Sequence, residues 1–164
     1  MALLVPEWFF SRVEVIDAAE LAGLGVKTVI LDIDNTLVPR GTSGIPPSVS
    51  DWVQGLKTAG MRICLVSNNW HRVVFSYARQ LDVPLVYKAM KPAPFSFLRA
   101  IRKAEGRRAS TLVIGDQLFT DVLGAHLLGM RAVLVLPQVS QDLRHTLLLR
   151  RLEQRFMRGL APTR

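Results

Sequence analysis

Five short apolar runs recur along the chain, at positions 27–33, 61–66, 84–87, 111–114 and 131–136. They are rich in β-branched residues and show no alternation of apolar with polar, the pattern of strands covered on both faces. Between them lie helical patterns. Ser50 and Asp51 cap a run in which Trp52, Leu56 and Ala59 share a face and which stops at Gly60; a second spans 70–81, with Val74 and Ala78 four apart. A third, over 95–104, places Leu98, Ile101 and Arg102 in successive turns and stops at Gly106, and a fourth begins near Asp121 and ends at Gly129. With no repeat and no low-complexity linker, this order predicts one α/β domain with a mainly parallel sheet of five strands. Right-handed crossovers then gather any ligand outside the carboxyl ends of the strands.

The chain has 164 residues, 49% of them hydrophobic and 21% charged, which excludes a disordered or collagen-like chain. That length buries a core without staples. Cys64 is the single cysteine, so no internal disulfide forms, and its apolar neighbours predict an inert thiol suited to a reducing cytoplasm. No apolar run approaches the ~20 residues of a membrane span, and Pro6-Glu7 cut short the N-terminal Ala2-Leu3-Leu4-Val5. The expected location is cytoplasmic, with any membrane contact peripheral, at the inner face.

Polar residues interrupt the pattern where the strands end: Asp32 and Asp34 after the first run, Ser67-Asn68-Asn69 after the second, Lys91 after the third and Asp116 after the fourth. Residues two apart on a strand project to the same side, so Asp32 and Asp34 emerge together. Two carboxylates that close require a bound cation, or one of them keeps a proton. Asp116 and Asp121 add further oxygen donors. An oxygen-only set suits Mg²⁺, whereas one cysteine and three scattered histidines make no zinc site. Ser67 and the ammonium of Lys91 supply the complementary half, a hydroxyl and a charge able to hold phosphate oxygens. The residues alone therefore predict a Mg²⁺-dependent phosphate site without saying which carboxylate does what.

The order Asp32-x-Asp34-x-Thr36, Ser67-Asn68-Asn69, Lys91-Pro92 and Gly115-Asp116-x4-Asp121 resembles the four motifs of the haloacid dehalogenase superfamily of phosphohydrolases. The wording DIDNTLV, VSNN, YKAMKP and VIGDQLFTDVLGA is similar to its subclass IIIA branch, which holds the YqeG-type proteins and the phosphatidylglycerophosphate phosphatases. The resemblance implies a three-layer Rossmann-like core. It also implies that Asp32 is the nucleophile forming an aspartyl-phosphate and that Asp34 is the general acid and base, its backbone carbonyl also on the metal. Ser67, Asn68 and Lys91 would bind the phosphoryl group, Lys91 would restrain Asp32, Asp116 and Asp121 would complete the metal site, and Thr36 would support the loop.

In this superfamily an inserted cap usually closes the site. Here 33 positions separate Asp34 from Ser67 and 24 separate Ser67 from Lys91, room for one helix and one strand each plus a short flap at 35–47. A capless site favours a phosphate presented on something large. The net charge of +8 points to anionic partners, and 143–164 carries six arginines (Arg144, Arg150, Arg151, Arg155, Arg158 and Arg164) against Glu153 alone. Leu149, Leu152, Phe156 and Leu160 follow helical spacing opposite Arg144, Arg151, Arg155 and Arg158, the pattern of a basic amphipathic helix on a membrane. Leu3-Leu4-Val5 and Trp8-Phe9-Phe10 add bulk for the same surface. The chain thus divides into an N-terminal extension at 1–26, a catalytic core at 27–137 and the basic helix at 138–164. The expected reaction is hydrolysis of phosphatidylglycerophosphate to phosphatidylglycerol, with Arg40 and Thr42 of the flap near the head group. Rival readings are a phosphatase of a soluble sugar, nucleotide or nucleic-acid 3′-phosphate, and a non-catalytic receiver or membrane module. No aromatic-studded basic groove supports nucleic acid.

Overall fold

The computed structural model describes residues 3–138 and Pro162. The basic helix expected over 138–164 therefore lies almost wholly outside the described residues. The described chain runs β1 (Trp8–Phe10), α1 (Ala18–Gly23), β2 (Thr28–Leu31), α2 (Pro47–Thr58), β3 (Arg62–Val66), α3 (Val73–Leu81), β4 (Leu85–Val86), α4 (Pro94–Lys103), β5 (Thr111–Gly115), a π-helical turn (Leu118–Val122), α5 (Leu123–His126) and β6 (Arg131–Val135). The strands form one sheet in the order β1-β6-β5-β2-β3-β4, every neighbouring pair parallel.

Both faces of that sheet are covered, which is why the apolar runs do not alternate. Val29, Leu31, Ile63, Leu65, Leu112 and Ile114 pack into one core with Leu21 of α1, Val49, Val53 and Leu56 of α2, and Val74, Tyr77 and Leu81 of α3. Ile30, Cys64, Val66, Val113, Ala132 and Leu134 pack into the other with Phe97, Ala100 and Ile101 of α4 and Ala125 of α5. The result is a three-layer α/β structure.

The sheet has six strands where five are expected. The sixth is β1, whose residues pair one for one with Val133, Leu134 and Val135. Phe9 and Phe10 are buried on opposite faces and Trp8 packs on the core, so this aromatic run is an edge strand and not a membrane-facing patch. Burying two phenylalanines outweighs exposing them at a lipid interface. His126 anchors the preceding segment, with Nδ1 3.0 Å from the Leu3 carbonyl oxygen and Nε2 3.2 Å from Glu7 Oε2.

Helix boundaries shift for local reasons. α2 starts at Pro47, whose missing N–H fits the first turn, so Ser50 and Asp51 lie inside the helix and do not cap it. α3 starts only at Val73, because Asn69 Oδ1 accepts the backbone N–H of His71 at 2.8 Å and holds Trp70 in a turn. In α4 the inward face is Phe97, Ala100 and Ile101, leaving Leu98 exposed.

Candidate active site

The carboxyl ends of β2, β3, β4 and β5 lie side by side, and the residues that follow them line one cavity of about 870 Å³. Asp32 follows β2, where its backbone N–H still donates to Ile114 of β5 at 3.0 Å. Its side chain is held from two sides. Lys91 Nζ lies 2.5 Å from Oδ1, and Thr36 Oγ1 donates to Oδ2 at 2.9 Å. Thr36 reaches back because the chain reverses at Asn35, which sits at a φ of 66° and donates to the Val38 carbonyl at 2.7 Å.

Lys91 also donates to Asp121 Oδ1 at 2.6 Å, so one buried ammonium joins two carboxylates. Burial alone would depress its pKa; the charges of Asp121 and Asp32 outweigh that and hold it above the ordinary lysine range. Its backbone is fixed by Asn68, whose Oδ1 accepts the Lys91 N–H at 2.7 Å and whose Nδ2 donates to the Lys91 carbonyl at 3.2 Å. The Asn68 side chain thus braces the lysine.

Asp34 shares the cavity wall but has its own partners. Asn69 Nδ2 donates to both of its oxygens, at 3.3 and 3.1 Å, and Ser67 Oγ lies 3.5 Å from Oδ2. Burial raises the Asp34 pKa above the usual aspartate value, and the nearby Asp32 charge adds to that, while Asn69, Arg40 and Lys91 pull the other way. The two carboxylates are therefore differentiated, Asp32 tied to a cation and Asp34 biased toward holding a proton. Asn69 had only its place in the Ser67-Asn68-Asn69 motif to announce it, since a side-chain contact 35 residues away leaves no mark on periodicity.

Asp121 does not open a helix as its position suggests. It sits inside the π-helical turn, whose extra residue turns its carboxylate inward, and its Oδ2 accepts from the Gln117 N–H and the Thr120 hydroxyl at 3.3 Å each. Gly115 makes room for it: a Cβ there would stand 2.6 Å from the Asp121 Cβ. Burial raises the Asp121 pKa, against the pull of Lys91. Asp32, Asp116 and Asp121 are all buried and offer oxygens within 4.8 Å of one another. Three hard oxygen donors this close fit a hard divalent cation and do not suit soft metals. The Asp34 carboxylate is not part of that trio.

A parallel three-layer sheet with such a rim is the setting of a hydrolase of the haloacid dehalogenase type, and the comparisons agree. The family model described as hydrolase-like (HAD-hydrolase-like) matches residues 89–150. The chain is 36% identical over 156 residues to "Probable phosphatase YqeG" of Bacillus subtilis, covering 95% of this chain and 91% of that one. Among solved structures, a HAD phosphatase from Thermococcus onnurineus superposes with a TM-score of 0.59 at 16% identity, covering 73% of this chain and 90% of that one. The cobalt-bound deoxy-D-mannose-octulosonate 8-phosphate phosphatase of Haemophilus influenzae gives 0.50 at 14% identity, covering 57% and 60%. At those identities the structures speak for the fold. The chain belongs to the haloacid dehalogenase superfamily, and within it to the YqeG-like phosphatases.

Proposed function

We propose that this phosphatase hydrolyses phosphatidylglycerophosphate to phosphatidylglycerol with Mg²⁺, through an aspartyl-phosphate on Asp32. The observation that carries the mechanism is the differentiation of Asp32 from Asp34. Asp32, paired with Lys91 and oriented by Thr36, attacks phosphorus as the ester P–O bond breaks. Asp34, biased toward its protonated form, gives its proton to the leaving oxygen. Asp34 then takes a proton from water, whose oxygen attacks phosphorus and releases the Asp32 carboxylate with inorganic phosphate. Lys91 lines the cavity, and with Ser67 behind Asp34 it would hold the phosphoryl oxygens. Asp32, Asp116 and Asp121, with the Asp34 backbone carbonyl, would hold Mg²⁺, which when bound supplies charge neutralisation at the phosphoryl group.

The choice of a lipid rests on how the cavity meets solvent. The two segments between the motifs hold only α2 with β3 and α3 with β4, together with the flap, so neither inserts a cap domain. At its mouth Trp70 is 69% exposed, Lys88 Nζ stands 4.5 Å above the Trp70 ring and 5.7 Å from the Tyr87 ring, and Tyr87 packs on Phe75. An exposed aromatic cluster with a cation is the composition that seats a protein at an anionic lipid interface. Among the described residues no helix is long and apolar enough to cross a membrane, so the contact would be peripheral.

Phosphate release from phosphatidylglycerophosphate in vesicles, measured with Mg²⁺, should exceed release from glycerol phosphate and disappear in Asp32→Asn. Equal rates on the two compounds, or higher rates on a sugar or nucleotide phosphate, would overturn the lipid assignment. Release that survives Asp32→Asn would overturn the mechanism.

A further inference from the structure

The cavity holds a cation that the chemistry above does not use. Of the two Lys or Arg side chains among the described residues lining it, Lys91 is engaged by Asp32 and Asp121, whereas Arg40 forms no ion pair with any described residue. Arg40 Nε and Nη1 are both buried and have no hydrogen-bond partner among the described residues. A guanidinium with buried N–H groups left unsatisfied is costly, and such groups persist where a ligand completes them.

The segment carrying Arg40 is firmly placed. Tyr77 donates its hydroxyl to the Thr42 carbonyl, and the Gln80 amide both accepts from the Ile45 N–H and donates to its carbonyl, at 3.0 Å each. On the other side the Arg40 N–H faces Asn35 Oδ1 at 3.4 Å, and Thr42 Oγ1 donates to the Pro39 carbonyl at 2.9 Å. Arg40 is thus presented by a flap fastened to α3 and to the turn after β2. A planar, permanently charged guanidinium with N–H donors to spare matches a tetrahedral oxyanion. A cavity of about 870 Å³ leaves ample space beyond a single phosphoryl group.

We propose that Arg40 receives a second phosphate group carried by the leaving alcohol, so that the cavity selects phosphomonoesters bearing two phosphates over those bearing one. The second group is a diester in a lipid head group or a free phosphate in a soluble bisphosphate. The proposal deepens the functional reading above, yet its test separates the two.

Phosphate release is measured from glycerol phosphate, glycerol bisphosphate and vesicle-borne phosphatidylglycerophosphate for the unaltered chain, Arg40→Gln and Arg40→Lys. The ratio of kcat/KM for each two-phosphate compound to that for glycerol phosphate should fall by about tenfold or more in Arg40→Gln, a loss of about 1.4 kcal/mol, and by less in Arg40→Lys. An equal loss on all three compounds would overturn the proposal and make Arg40 a group acting through Asp34. Binding of the same soluble compounds to Asp32→Asn by calorimetry needs no turnover. A preference for the bisphosphate that vanishes in Asp32→Asn/Arg40→Gln supports the subsite even if the lipid is never hydrolysed. Lipid turnover whose ratio to glycerol phosphate ignores Arg40 refutes the subsite and leaves the lipid reading standing.

Discussion

Lys91→Met tests the electrostatic construction of the site most directly. The methionine fills similar volume but removes the ammonium that lies 2.5 Å from Asp32 and 2.6 Å from Asp121, where the three side chains are only 3%, 8% and 2% exposed. Asp116 offers a third carboxylate within 4.8 Å. Breaking a buried ion pair by deleting one partner costs about 3–5 kcal/mol, because the remaining charge stays buried without compensation. For a chain of this size each kcal/mol moves Tm by about 2–4 °C, so the variant should melt roughly 6–20 °C lower at pH 7.5 in chelator. Without the lysine, burial raises the folded-state pKa of Asp121 further above its unfolded value, because the opposing pull of Lys91 is gone. The deficit is then full at neutral pH and fades as pH falls through the raised value. A divalent cation should restore part of it, about 2.7 kcal/mol at a hundredfold excess over Kd. Thermal melts from pH 5 to 8, with and without Mg²⁺, provide the assay. A deficit that is the same at every pH and indifferent to Mg²⁺ would mean that packing, not charge, is what Lys91 supplies.

Four further outcomes follow from single features of the structure. Asp34→Asn should lose far more activity on an alkyl phosphate than on a nitrophenyl phosphate, whose leaving group needs no proton; parallel losses would deny Asp34 its role as acid. The same raised pKa makes the native Asp34 less favourable to the fold as pH rises through it, so Asp34→Asn should gain Tm relative to the parent between pH 4 and 7. Gly115→Ala drives a Cβ into the Asp121 side chain, and a shift of about 1 Å in that carboxylate should reduce kcat/KM about 100-fold; unaltered kinetics would show that Asp121 need not be fixed. Cys64 is fully buried, and burial pushes its thiol up to about 12, so a thiol reagent at pH 8 should label it only after unfolding, as mass spectrometry would record.

The central strands were legible because each is buried on both faces, and the strand ends were legible because Asp32, Ser67, Lys91 and Asp116 break apolar runs where a parallel sheet exposes its carboxyl rim. What periodicity did not carry is long-range. Trp8-Phe9-Phe10 is too short to declare itself a strand without β6 beside it, so its aromatics read as interfacial. The π-helical turn that aims Asp121 inward has no pattern distinct from an α-helix. Tyr77 and Gln80 read as ordinary positions of α3, though they hold the flap 35 residues away. Asn68 and Asn69 are adjacent and chemically alike, yet one braces a backbone and the other a carboxylate, a distinction set only by the turn between them.

The pairing of β1 with β6 has a consequence for how the chain is made. Glu7 accepts the Ala132 N–H through its side chain at 2.6 Å and donates its own N–H to the Ala132 carbonyl at 3.0 Å, across 125 positions. On the ribosome the earliest strand therefore waits for the latest, roughly 6–25 s at ordinary elongation rates. During that interval Phe9 and Phe10 have no sheet edge to enter, and once β5 is made its outer edge stays open until β6 arrives. Synthesis thus imposes a window in which a holdase is useful, and it closes with one late, high-contact-order step.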